Sequence, residues 1–232
     1  MPPLSRVTWP RYHRLINSAY PPIDLFEDIA DPRDWELLAE AEGKSNPRLT
    51  ASIGQLDLVP VEHRVSGPGS SYVMASFVHA SPDRPGRFHD GSFGVLYIAD
   101  AFETALFETI YHTELFCRDT NEEPGWVADM QEVVGQVDRE LNDIRDPQFA
   151  NLLHETDYSA SQAMARSIIL NGGEGIIYPS VRHTKGQCIA VFYPNCVGIP
   201  IQGKHISYHW DGQRINMFKD KSNDNNVYAI TL

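Results

Sequence analysis

Residues 86–109 read GRFHDGSFGVLYIADAFETALFET, and three side chains able to do chemistry stand on this stretch. They are Arg87, Tyr97 ten residues later and Glu108 eleven residues after that. Placed at 100° per residue on a helix, residues 101–116 put Phe102, Leu106 and Ile110 on one face, while Phe107, Tyr111 and Leu115 carry apolar surface round much of the rest. A helix apolar nearly all round is buried on several sides. The wheel neighbours of Glu108 are Thr104, Tyr111, His112 and Leu115, so no broad charged face accounts for it. A buried carboxylate is costly unless it is paired or hydrogen-bonded. Two interpretations therefore stay open: Glu108 is the structural partner of an arginine, or it faces a cleft and acts on a ligand. Arg87 is equally readable as a solvated loop residue, and Tyr97 as a core tyrosine with a satisfied hydroxyl.

The elements that must hold these groups follow from local patterning. GVLYIAD predicts a strand around 94–99 leading into a helix around 101–116. Residues 1–70 read as loop-rich with short helices, one of them in DPRDWELLAEAEGK, where Asp31 can cap, Pro32 suits the first turn and Gly43 stops the run. YVMASFVHA (72–80) alternates and is rich in β-formers, which predicts a strand, as does MQEVVGQVD (130–138). YSASQAMARSIILNGG (158–173) is a helix that ends at its glycines. EGIIYPS and QCIAVFYP are short buried strands, and ISYHWDGQRINMFK is a hairpin turning at Asp211-Gly212. The fold class expected is mixed α+β.

Composition narrows the function. A formal charge of −12 argues against general affinity for nucleic acid, which needs clustered Lys and Arg, but leaves room for a small anion in a locally basic pocket. No apolar run approaches the roughly 18 residues of a membrane span, and MPPLSRVTWPRYHRLINSAY lacks the apolar core of a signal peptide. Cys117, Cys188 and Cys196 form no CxxC pair, so cytoplasm is the expected compartment. His79, His89, His112 and His183 are scattered without HExxH spacing, and no metal site is expected. SGPGSS and NGGEG match neither GxGxxG nor a Walker loop.

GEGIIYPSVRHTKGQCIAVF brings the pieces into one order. Ser180 follows a proline at the end of a buried strand, just before a basic loop with Arg182, His183 and Lys185. The set GRF…VLYIA…ALFE…YPS resembles the RES domain, a family named for an Arg, a Glu and a Ser, over about residues 72–215. YHWDGQRI is similar to family endings, and PPIDLFEDIADPRDWELLAEAEGKSNPR resembles a longer subgroup associated with NAD phosphorolysis. Phe88 stands where many members have Trp, which keeps an aromatic.

The resemblance implies an ADP-ribosyltransferase-like α+β fold, with small twisted sheets around an NAD cleft. It divides the chain into an N-terminal extension (1–71) packed on the core and a catalytic domain (72–232). Members resemble the NAD-destroying toxins of RES–Xre toxin–antitoxin pairs. NAD is then substrate rather than cofactor, inorganic phosphate is a candidate co-substrate, and an Xre-type antitoxin is the expected partner, with homo-oligomers or hetero-oligomers open. Residue by residue, Arg87, Tyr97, Glu108 and Ser180 match the family's Arg, Tyr, Glu and Ser. Arg14 in YHRLI resembles an N-terminal family Arg. Glu108 would stabilise oxocarbenium character on the ribose as the glycosidic bond breaks. Arg87 and Arg14 would clamp phosphate oxygens, Tyr97 would pack on nicotinamide or ribose, and Ser180 would hydrogen-bond the substrate. Arg182, His183 or Lys185 would help bind phosphate, although a solvated basic loop also explains them. NAD phosphorylase or glycohydrolase activity is expected; an ADP-ribosyltransferase acting on a macromolecule and a non-catalytic interaction module are the alternatives.

Overall fold

A computed structural model describes residues 1–18, 31–37, 39–40 and 53–231. Eight strands and three helices of eight residues or more can be traced through it. The strands are β1 (Leu4–Asn17), β2 (Leu96–Ala99), β3 (Gly125–Asp143), β4 (Gly175–Pro179), β5 (Gln187–Val191), β6 (Ile201–Trp210), β7 (Ile215–Asp220) and β8 (Asn226–Ala229). The helices are α1 (Ser71–Val78), α2 (Phe102–Asp119) and α3 (Ser159–Leu170). The fold is mixed α+β, and its strands join in one sheet of order β1-β2-β5-β4-β3-β6-β7-β8. Because β1 also pairs with β3, the first five strands of that order close on themselves. The small twisted sheets expected from the resemblance are thus continuous with one another.

β4 and β5 are short apolar runs because they are buried on both faces. Ile176, Tyr178 and Ala190 point into one core with Leu106 and Ile110 of α2 and Ala165 and Ile168 of α3. Ile177, Ile189 and Val191 alternate into a second core with Val73, Met74, Phe77 and Val78 of α1. Trp35, Ile53, Leu56 and Val59 close that second layer, so these described residues before α1 share the core of the rest. α3 ends as its glycines foretell: Gly172 adopts φ +77°, and the Gly173 amide donates to Ile168 O at 2.9 Å. The 211–212 turn is held by Asp211 Oδ1, which accepts the Gln213 and Arg214 amides.

Two expectations are corrected. Residues 72–78 of the stretch 72–80 lie in helix α1, not in a strand. Their β-formers are overridden because Val73, Met74, Phe77 and Val78 make one apolar face at helical spacing, buried against β2, β4 and β5. The loop-rich reading of residues 1–70 misses β1, a fourteen-residue strand paired antiparallel with β3. Its alternation is hidden by a bulge between Trp9 and Tyr12, which places Pro10 where no ladder donor is needed. Of the helix expected in 31–44, residues 35–37 and 39–40 are helical, and 41–44 lie outside the described residues.

Beyond the bulge, the buried Tyr12 ring lies across Gly135 of β3, and its hydroxyl donates to Gly198 O at 3.1 Å. A Cβ at position 135 would come within 2.5 Å of the Tyr12 ring. Gly135→Ala is therefore expected to destabilise the protein by about 1–3 kcal/mol, read as a lower Tm in thermal denaturation.

Candidate functional site

A cavity of about 270 Å³ opens where β1 parts from β2. The two strands share a single register pair, His13↔Ala99, before β1 continues along β3. Arg14 from β1, Tyr97 from β2, Glu108 from α2 and Arg87 from the loop before β2 all line this space. Four of the five residues singled out from the sequence are therefore brought together. Ser180 does not line the cavity, yet its hydroxyl donates to Glu108 Oε1 at 2.6 Å.

Glu108 is in the second turn of α2, partly buried, and makes no ion pair among the described residues. After β4 the backbone turns at Ser180, whose amide donates to Gly186 O, and Ser180 Oγ accepts the amides of Arg182 (3.2 Å) and His183 (2.9 Å). The hydroxyl is thereby polarised towards the carboxylate, which also takes a weak contact from the Cys188 thiol at 3.7 Å. Burial, then the charge of Glu108, raises the Cys188 pKa well above its usual value, so this sulfur is a thiol and no nucleophile.

Three guanidinium groups surround the carboxylate, and all are tied to backbone carbonyls. Arg14 Nη1 donates to Tyr97 O at 2.9 Å, and its buried Nε has no hydrogen-bond partner among the described residues. Arg87 Nη1 donates to His154 O at 2.6 Å with its guanidinium 4.8 Å from the Tyr158 ring centroid. Arg182 Nη2 donates to Glu155 O at 2.8 Å and lies 3.4 Å from the Tyr111 ring centroid. Of the three, only Arg182 forms an ion pair among the described residues, with Glu155 at 3.6 Å, and the Glu155 side chain is 74% exposed. Carbonyls hold a guanidinium in place without cancelling its charge. The result is a locally cationic cavity in a protein of formal charge −12, with one carboxylate in it.

Tyr97 sits half-buried with its hydroxyl accepting the Phe88 amide at 2.9 Å; burial raises its pKa, which keeps it neutral. At the cavity mouth, the protein packed around His112 lowers its pKa; Glu108 opposes this and Arg182 and Arg87 add to it.

Some lining residues escaped sequence reasoning. Tyr158, from the turn before α3, and Tyr178, two residues before Ser180 on β4, carry no signal separating them from core tyrosines. His112 had one, standing four residues after Glu108 on the same helix face. His13 adjoins Arg14 on β1. Of the basic loop, Arg182 lines the cavity. His183 instead bonds Thr104 through Nδ1 (3.0 Å) and stacks on Phe107, and Lys185 is exposed at φ +71°. Among the described residues no group of three or more His, Cys, Asp or Glu could hold a metal ion, and no helix is long and apolar enough to cross a membrane.

The RES domain profile matches residues 61–211, well over half of the chain. The protein belongs to the RES domain family. A relative, the uncharacterized protein y4oC of Sinorhizobium fredii (strain NBRC 101917 / NGR234), is 30% identical over 217 residues, covering 92% of this chain and 90% of its own. Among solved structures, that of the Mycobacterium tuberculosis MbcT–MbcA toxin–antitoxin complex is similar with 18% identity and a TM-score of 0.40, over 55% of this chain and 72% of that one.

Within this RES chain, Ser180 is the joint between carboxylate and loop. Ser180→Ala leaves one carboxylate oxygen and two amides without their partner, and a loss of about 1–3 kcal/mol is expected. Thermal or urea denaturation at neutral pH measures it.

Proposed function

We propose that this RES protein is an NAD-consuming toxin that breaks the bond between nicotinamide and ribose, with inorganic phosphate as acceptor and water as the alternative. The observation that carries the assignment is the charge pattern of the cavity: one carboxylate, Glu108, among Arg14, Arg87 and Arg182, none of which is paired with a buried acid among the described residues. A dinucleotide presents that pattern in reverse, with a diphosphate to meet guanidinium forks and a sugar that turns cationic as nicotinamide leaves. A volume of about 270 Å³ suits the nicotinamide–ribose end, with the diphosphate at the arginines and the adenosine towards the mouth.

In the proposed mechanism, Glu108 supplies negative charge beside the anomeric carbon, where the low-dielectric wall of Ala99, Ala105 and Tyr178 makes it count most. Ser180 holds the carboxylate in place, so it need not reorganise as the bond lengthens. Tyr97 and Tyr158 give flat, neutral surfaces for the nicotinamide and ribose. Arg14 is the best placed phosphate ligand, since its buried Nε–H is unsatisfied. Family membership is what brings an antitoxin of the Xre type into the proposal: a partner that covers the cavity mouth in the cytoplasm would silence the toxin.

Purified protein incubated with NAD, with and without phosphate, and analysed by mass is expected to give nicotinamide and ADP-ribose 1″-phosphate in the first case, and ADP-ribose in the second. Label left on macromolecules would instead make the protein a transferase, and intact NAD would refute the assignment. Glu108→Gln is expected to slow NAD turnover by about 100- to 1,000-fold. Arg182→Ala is expected to raise KM for NAD by about tenfold, the worth of one charge-assisted hydrogen bond, while Lys185→Ala leaves it unchanged.

A further inference from the structure

One acid–base pair on the cavity wall has no role in that mechanism. His13 lines the cavity, and its Nδ1 lies 2.6 Å from Glu132 Oε1. The two side chains are 14% and 5% exposed. The other oxygen, Glu132 Oε2, accepts the Lys204 amide at 2.9 Å. Burial pushes the Glu132 carboxyl up in pKa, but the hydrogen bonds from His13 and from the Lys204 amide outweigh it and hold the group below its ordinary value. Glu132 is therefore an anion at neutral pH, with both oxygens occupied as acceptors.

An ionised carboxylate can only accept, so the ring atom facing it, Nδ1, carries the proton. In the neutral ring the lone pair then lies on Nε2. Nε2 has no hydrogen-bond partner among the described residues. The sheet fixes this pairing. His13 is opposite Val134 and Leu15 opposite Glu132 in the β1–β3 ladder, so His13 and Glu132 are diagonal neighbours on one face. α2, which carries Glu108, packs against β1, and both His13 and Glu108 line the same space.

We propose that His13 is the general base of the reaction, with Glu132 as the residue that positions its ring. The inference rests on the assignment of this cavity to glycosidic cleavage. With water as acceptor, the water O–H bond breaks and its proton goes to Nε2. The freed oxygen pair forms the bond to the anomeric carbon, and the C–N pair departs with nicotinamide, which leaves neutral. Monobasic phosphate loses its proton in the same way, whereas dibasic phosphate attacks through an oxygen already ionised. Dependence on His13 is therefore strongest for hydrolysis.

His13→Gln in the full chain keeps a donor for Glu132 but cannot take up a proton. It is expected to lower kcat for NAD hydrolysis by about 100-fold or more, with KM for NAD within about twofold of the parent. His13→Ala is expected to be similarly slow and to regain rate when imidazole is added to the solution, which cannot repair a misfolded chain. Glu132→Gln must divide one carbonyl between Nδ1–H and the Lys204 amide. It is expected to lower kcat less, and to cause no further loss when combined with His13→Gln. Hydrolysis by His13→Gln at the parental rate would overturn the role of His13 alone, as would a His13→Ala protein that melts like the parent yet gains nothing from imidazole. An additional loss from Glu132→Gln in the double variant would overturn the positioning role. A parent protein that leaves NAD intact would overturn both this inference and the cleavage assignment beneath it.

Discussion

The site depends on how the protein holds three arginines without neutralising them. Each guanidinium is anchored by a backbone carbonyl: Tyr97 O for Arg14, His154 O for Arg87 and Glu155 O for Arg182. A carboxylate partner would fix the same geometry but cancel the field. Carbonyl anchors leave the charge available to a ligand, and the carboxylate that lines the cavity, Glu108, is held by the neutral hydroxyl of Ser180. A chain of formal charge −12 thereby keeps a locally cationic cavity open to anions.

The sheet explains why the cavity is where it is. β1 is laced to β3 from Leu4 to Asn17 but meets β2 at one residue pair only. Had β1 paired along all of β2, the closed circuit of strands would leave no opening at Arg14. The N-terminal segment is therefore part of the site and of the core at once. Consecutive carbonyls of one loop, at His154 and Glu155, hold two of the three arginines, and Tyr158 follows on the same turn. The orientation of the charged groups thus depends on a segment far from them in sequence, and the loop must be correctly packed before the cavity acquires its field.

Local patterning made most of the scaffold legible. Strand β2 and helix α2, helix α3 with its glycine stop, β4, β5 and the 211–212 hairpin all follow from periodicity and turn chemistry, because in each the local preference and the burial agree. Disagreement marks the two failures. In α1, β-forming side chains sit on a helix because Val73, Met74, Phe77 and Val78 recur at helical spacing and bury one face against β2, β4 and β5. In β1, a bulge at Pro10 interrupts the alternation on which strand recognition rests.

By itself the sequence determined that a carboxylate would stand on an apolar helix, that an arginine, a tyrosine and a serine would accompany it in a given order, and that the chain resembles the RES family. These are properties of residue type and spacing along one dimension. Only the tertiary structure decided that Glu108 is held by Ser180 instead of by an arginine, that Arg182 and not His183 or Lys185 reaches the cavity, and that His13 is backed by Glu132. Those outcomes depend on which backbone groups from distant segments arrive beside each side chain. Hydrogen bonds spanning 72 residues, as between Ser180 and Glu108, or 119, as between His13 and Glu132, are set by sheet register and loop packing, which no local pattern encodes.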